Sequence, residues 1–113
     1  MHKQGDIVLV PFPFTDLSGE KVRPALVLSK KENGDDVTVC FISSIVSKKI
    51  LPNELLIEEK SAPFKNTGLK VSSNIKVTKI ATLEKKVILG KLGALDAGSV
   101  NKIKTILKNH FSI

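Results

Sequence analysis

Pro24-Ala25-Leu26-Val27-Leu28-Ser29, then Lys30-Lys31-Glu32-Asn33-Gly34-Asp35-Asp36, then Val37-Thr38-Val39-Cys40-Phe41-Ile42-Ser43 is the stretch whose reading decides the fold. Two apolar runs, rich in β-branched residues, flank a polar segment with Asn33-Gly34 at its centre. Asn-Gly in that setting signals a hairpin, because both residues accept the positive φ that a tight strand reversal needs. Each run is apolar at consecutive positions, so both faces of both strands are expected under cover, as in a small closed barrel. Cys40, inside the second run, reads as a small buried hydrophobe.

The hairpin also decides what meets at its open end. Arg23 stands just before the first of these strands, and Ser43 and Ser44 end the second. A two-residue turn pairs residues whose numbers add to about 67 and sets Arg23 against Ser44. A three-residue turn with a bulge lowers that sum to about 66 and sets Arg23 against Ser43. Either register puts a guanidinium beside a hydroxyl at one rim.

Working outward, Gly5-Asp6 opens a first element, and Ile7-Val8-Leu9-Val10 reads as a buried strand that Pro11 and Pro13 should stop. The loop from Pro11 to Lys21 carries Phe12 and Phe14, with turn chemistry at Asp16, Ser18 and Gly19. It joins the Arg23 end of the next strand, so Phe14 and Thr15 are expected to overhang the rim. Glu54-Leu55-Leu56-Ile57 fits a short edge strand, and 58–68 is polar and turn-rich. Asn74 to Ile80 alternates apolar and polar residues, the pattern of a strand with one wet face. Val87-Ile88-Leu89 and Lys91-Leu92 form another short element, ended by Gly90 and Gly93. Towards the C-terminus the period changes: Val100, Ile103, Ile106, Leu107, His110 and Phe111 share one helical stripe, with Asp96 as N-cap. The expected fold is mainly β: a small barrel in a single domain, 1–113, with short helical additions and a C-terminal helix.

Composition sets bounds on function. The 113-residue chain is 42% apolar and 26% charged, so it is ordinary for a folded protein. No apolar run approaches the roughly 18 residues of a membrane helix, and Met1 to Asp6 lacks a signal-peptide stretch. One cysteine makes no internal disulfide, and a reducing cytoplasm is the expected home. The net charge of +7 favours a polyanionic partner or an acidic protein, with mere surface solubility as the bland alternative. Of 18 basic residues only Arg23 is an arginine, and its planar fork binds phosphate in a way lysine does not copy.

Conventional catalytic signatures are missing. There is no P-loop, dinucleotide fingerprint, GxSxG or Cys/His zinc set, and Asp35-Asp36 and Glu58-Glu59 look like turn and solvated residues rather than a metal cluster. No cofactor or metal is expected. His2 and His110 are too far apart in the chain to suggest an acid–base pair. What remains is the rim: Arg23 to hold two phosphate oxygens, Ser43 or Ser44 to add a hydrogen bond, Phe14 to stack on an unpaired base, and Lys48 and Lys49 close behind the serines. RNA carries its own nucleophile, the 2′-OH, so such a rim needs no metal-activated water. The bland alternative is that Arg23 pairs with Glu20 or Asp16 and Ser43 simply ends a strand.

Gly5-Asp6-Ile7-Val8, then a loop, then Arg23-Pro24-Ala25-Leu26-Val27-Leu28-Ser29 resembles the opening of the MazF/PemK toxins. Phe41-Ile42-Ser43-Ser44, Leu51-Pro52, the Asn74–Leu83 strand and the closing helix match in order and spacing, so the resemblance spans nearly the whole chain. It implies a dimeric SH3-like barrel that cleaves single-stranded RNA, usually messenger RNA, to a 2′,3′-cyclic phosphate and a 5′-OH. It implies an acidic antitoxin that blocks the groove. It places the family's essential arginine on Arg23 and its essential threonine on Ser43, while the candidate RNA contacts, Phe14, Thr15, Ser44 and Lys48, follow from their position at the rim. The first loop departs from some relatives in having no histidine. Two non-catalytic alternatives share the fold expectation: a CcdB-like inhibitor that binds DNA gyrase, and a plain SH3-like RNA- or protein-binding module. Arg23-Pro24 favours the nuclease branch, and Asn109 to Ile113 does not match the gyrase-binding end.

Overall fold

The computed structural model describes residues 2–12, 21–30 and 34–113. Its elements are β1 (Asp6–Phe12), β2 (Lys21–Val27), β3 (Asp36–Ser43), β4 (Glu54–Ile57), a 3-10 turn at Ala62–Asn66, β5 (Ser73–Glu84), a second 3-10 turn at Lys85–Val87, β6 (Gly90–Ala94) and α1 (Ala97–Phe111). The six strands form one antiparallel sheet in the order β4-β5-β3-β2-β1-β6. Its strands curl into a half-barrel. The ladder does not close on itself as a barrel would, since β4 and β6 are the two edges. Among the described residues no helix is long and apolar enough to cross a membrane.

Both faces of the sheet are covered, as the consecutive apolar positions imply. Ile7, Leu26, Cys40, Ile42, Ile75 and Val77 turn to one face and pack with Leu95 and Ile103, the latter from α1. Val8, Val10, Ala25, Val27, Val37, Val39 and Leu83 turn to the other, where Val87 and Ile88 pack against them. Alternate residues of β1, β2 and β3 thus feed two separate clusters, which is the period of two expressed twice. The Cys40 thiol is fully buried, and desolvation pushes its pKa up to about 12.

β1 runs on through Pro11 to Phe12, past the stop expected at that proline. Proline costs a strand only the N–H that would have met a neighbour. β6 pairs with β1 from Asp6 to Leu9, so at Pro11 only β2 is alongside, with Val22 opposite. Gly90 and Gly93 lie within β6 rather than ending an element. Gly93 has a steric reason: a Cβ there would fall 2.3 Å from the Asn66 carbonyl oxygen. A Cβ on Gly68, at φ +75°, would likewise fall 2.3 Å from the Leu92 carbonyl oxygen. The segment after β4 therefore lies with its backbone directly on β6.

β5 is longer than the alternation suggested and is interrupted. Cys40 of β3 faces Ile80, but its neighbour Phe41 faces Lys76, so Val77, Thr78 and Lys79 form a bulge with no opposite residue. The turn before β4 secures it. Val77 N–H donates to the Asn53 carbonyl at 3.2 Å, and the Asn53 side-chain amide donates to Thr78 Oγ1 at 2.8 Å. The bulge shifts the phase of the strand, so that Ile80, opposite Cys40, shares the face of Ile75 and Val77, where it is 37% exposed.

α1 begins where expected. The Asp96 carboxylate accepts from Ser99 N–H at 3.3 Å, and hydrogen bonds from Ser99 hold its pKa below the usual carboxylate value. The helix lies against β5 and β4, and Ile103, with Val100, Ile106 and Leu107, packs into the Ile7–Leu26–Ile75 core. His110 and Phe111, at the far end of the stripe, are exposed and touch edge to face with ring centres 4.9 Å apart.

Candidate functional site

β2 and β3 pair as Ala25–Phe41, Leu26–Cys40 and Val27–Val39, so the pair numbers add to 66. This is the lower of the two registers left open by the sequence, and carried two residues further it opposes Arg23 to Ser43. The strands separate early at the other end, where Leu28 N–H still meets the Thr38 carbonyl at 2.8 Å. Beyond this contact Gly34 takes φ +61°, and Asn33 lies outside the described residues.

Directly opposed residues point to the same side of a sheet. The printed registers give one row across four strands: Ala25, Phe41, Lys76 and Glu54. The next row towards the rim holds Ser43, Asn74 and Leu56, with Arg23 in line. These rows continue the face whose inner part is the Val8–Ala25–Val39 cluster. Where that cluster ends, a cleft of about 270 Å³ opens. Arg23, Pro24, Phe41, Ile42, Ser43, Ser44, Ile45, Lys76 and Lys79 line it. Its base is apolar and its rim carries three cations and two hydroxyls.

Of the residues singled out from sequence, Arg23, Ser43 and Ser44 come together in this cleft. Lys48 is exposed on the following loop and is not part of the lining. Phe14 and Thr15 lie outside the described residues, as do Glu20 and Asp16, the alternative partners of Arg23. Ser43 does end its strand as the bland reading held. Its Oγ accepts from Ile45 N–H at 3.1 Å and makes a long contact, 3.4 Å, to the Ile45 carbonyl. The first bond uses one lone pair, so the hydroxyl hydrogen remains able to rotate to a better acceptor.

Lys76 and Lys79 were missed by sequence reasoning. An alternating strand shows which side a lysine takes but not that a bulge will fold two of them towards the same cleft. Lys76 is held by Glu54, with Nζ 3.0 Å from Oε2. The Glu54 side chain is only 7% exposed and also accepts from Leu51 N–H at 3.0 Å. The Leu51 N–H, then the Asn74 side chain, then Lys76 lower its pKa from 4.5 to about 2. Among the described residues, no three of His, Cys, Asp or Glu come together as metal ligands.

Comparison with known proteins gives a family and a set of structures of like fold. A family model described as PemK-like, MazF-like toxin of type II toxin–antitoxin system matches residues 3–111. No curated protein matches. Among solved structures, a mycobacterial endoribonuclease in complex with its cognate antitoxin is 16% identical, with a TM-score of 0.75 over 100% of this chain and 97% of that one. MazF from Deinococcus radiodurans is 21% identical, with a TM-score of 0.73 over 99% and 97%. The Mycobacterium tuberculosis toxin MazF-mt6 is 19% identical, with a TM-score of 0.70 over 96% and 97%. The three structural likenesses fix the fold, and the family model, spanning all but the ends, fixes the kinship: the chain belongs to the PemK-like, MazF-like toxins of type II toxin–antitoxin systems.

Proposed function

We propose that this chain is an endoribonuclease that cuts single-stranded RNA, messenger RNA in particular, at the Arg23–Ser43 cleft without a metal. The observation that carries the reading is the convergence of Arg23, Ser43 and Ser44 with Lys76 and Lys79 around one apolar-floored cleft. The fold is shared with a mycobacterial endoribonuclease, and that kinship supports the same reaction class.

In the reaction the 2′-oxygen attacks the adjacent phosphorus, the bond to the 5′-oxygen breaks, and a 2′,3′-cyclic phosphate and a 5′-OH result. The proton lost by the 2′-OH balances the one gained by the 5′-oxygen. Arg23 spans two phosphate oxygens and offsets the charge that grows on them in the pentavalent transition state. A guanidinium scarcely deprotonates, so this electrostatic role fits it better than proton transfer does. The Ser43 hydroxyl turns from its long Ile45 contact to a phosphate oxygen. Phe14, Thr15, Ser44 and Lys48 are assigned to the flanking nucleotides. The partner that silences the chain is an acidic antitoxin, a reading supported by the mycobacterial endoribonuclease in complex with its cognate antitoxin and by the MazE-MazF structure from Deinococcus radiodurans. The working form is a homodimer in the cytoplasm.

The test is incubation of the purified chain with a long RNA in EDTA, followed by analysis of the ends. Cyclic phosphate and 5′-OH ends are expected, and no cutting of an oligonucleotide whose cut-site 2′-OH is replaced by hydrogen. Equal cleavage of that substituted oligonucleotide would sink the mechanism.

A further inference from the structure

The cation opposite Phe41 has an unusual setting. Lys76 lines the cleft beside Arg23 and Ser43, yet its ammonium is engaged by a carboxylate from the neighbouring strand. That carboxylate is almost wholly enclosed and serves three donors: Leu51 N–H, the Asn74 side chain and Lys76. Leu51 belongs to the loop that leaves Ser43 and returns to β4. Asn74 lies directly across from Ser43 on β5. One carboxylate thus ties the return of the loop, the strand beside Ser43 and the cleft lysine into a single unit. Lysine alone is a flexible stem with a mobile charge. Lys76 instead has one of its three N–H donors anchored, with its side chain 30% exposed and two donors left for a ligand.

We infer that Glu54 is a positioning residue, which holds the Lys76 ammonium in the cleft wall as a second fixed donor to the RNA phosphate gripped by Arg23. This rests on the reading of the cleft as the RNA-cutting site. Ground-state affinity for a polyanion follows charge, and many lysines share it, whereas the transition state rewards a donor already in place. Removing the Glu54 charge therefore leaves binding intact or slightly tighter while it slows the chemical step.

Two measurements decide it. In the first, kcat and KM for RNA cleavage are compared among wild type, Glu54→Gln, Glu54→Asp, Lys76→Met and the double variant Glu54→Gln/Lys76→Met, each with its Tm. Glu54→Gln keeps an acceptor for Leu51 N–H and should lower kcat by about tenfold with no rise in KM. Glu54→Asp should recover part of the loss. The double variant should be no slower than Lys76→Met alone, because the two residues act as one device. Wild-type kcat in Glu54→Gln, or losses that add, overturns the inference. In the second, the Lys76 ammonium resonance is followed by NMR as an uncleavable 2′-deoxy-substituted oligonucleotide is added. A shift in wild type that Glu54→Gln loses is expected, and an unmoved resonance overturns the inference. If the wild-type chain leaves RNA whole, the proposed reaction falls, and the resonance still decides whether Lys76 meets phosphate.

Discussion

At the scale of single residues, the cleft reduces to a division of labour between charge and placement. Arg23→Ala should lower the cleavage rate by roughly a hundredfold or more, the scale seen when one transition-state donor is lost. Arg23→Lys keeps the charge without the fork and should restore only a small part. RNA affinity should fall far less than rate in both, as measured by kcat against Kd. Ser43→Ala should slow cutting more than Ser44→Ala, since the observed register sets Ser43 in line with Arg23. The reverse order would move the catalytic hydroxyl to Ser44. Two buried groups give signals away from the reaction. Glu54 has its pKa lowered from 4.5 to about 2, so it contributes stability that is present above pH 4.5 and lost as pH falls towards 2. The Tm of wild type should drop by several degrees more across that window than the Tm of Glu54→Gln, and parallel curves would contradict the assignment. Cys40, pushed up to about 12, should resist thiol reagents in the folded chain and react on unfolding.

At the scale of elements, the parts legible in the sequence are those set by local chemistry. The edge strand at Glu54–Ile57 and the capped helix at Ala97–Phe111 each depend on residues within a few positions of one another. Asp96→Ala should cost about 1 kcal/mol, the usual worth of an N-cap, by chemical denaturation. What the sequence hid depends on neighbours far along the chain. Pro11 stays in β1 because β6 has already ended beside it, and nothing near Pro11 reports that. The bulge at Val77–Lys79 falls where the polar pair Thr78-Lys79 breaks the alternation, but its anchor is Asn53, well upstream. Hence Arg23 and Ser43 could be brought together by counting across one hairpin, while Lys76 and Lys79 could not. Gly93→Ala tests another such distant dependence: its Cβ meets backbone rather than a movable side chain, so a loss of about 2 kcal/mol or more is expected.

At the scale of the whole molecule, net charge and small size govern the dealings of the chain with others. Sedimentation equilibrium at micromolar concentration should return about twice the 12.3 kDa chain mass if the homodimer is right, and a clean monomer would count heavily against it. Binding of the proposed acidic antitoxin should weaken as salt rises, because a chain of net charge +7 gains from unscreened attraction and counterion release.

The place of β1 in the sheet bears on how the molecule is made. β1 lies between β2 and β6, so one of its edges waits for residues 90–94. A ribosome delivers β1, β2 and β3 first, and these can pair while Gly90 is still untranslated. The strands that carry Arg23, Ser43 and Lys76 are complete once β5 emerges. The Asp6–Ala94 contact spans most of the chain and carries the heavier loop-closure entropy. During that interval the nascent chain presents an open apolar edge at Ile7–Leu9 and lacks Ile103 on one core. A messenger truncated between the codons for Glu84 and Gly90 would thus release a polypeptide with its cleft residues present and its first strand unprotected, a substrate for proteases rather than a working toxin.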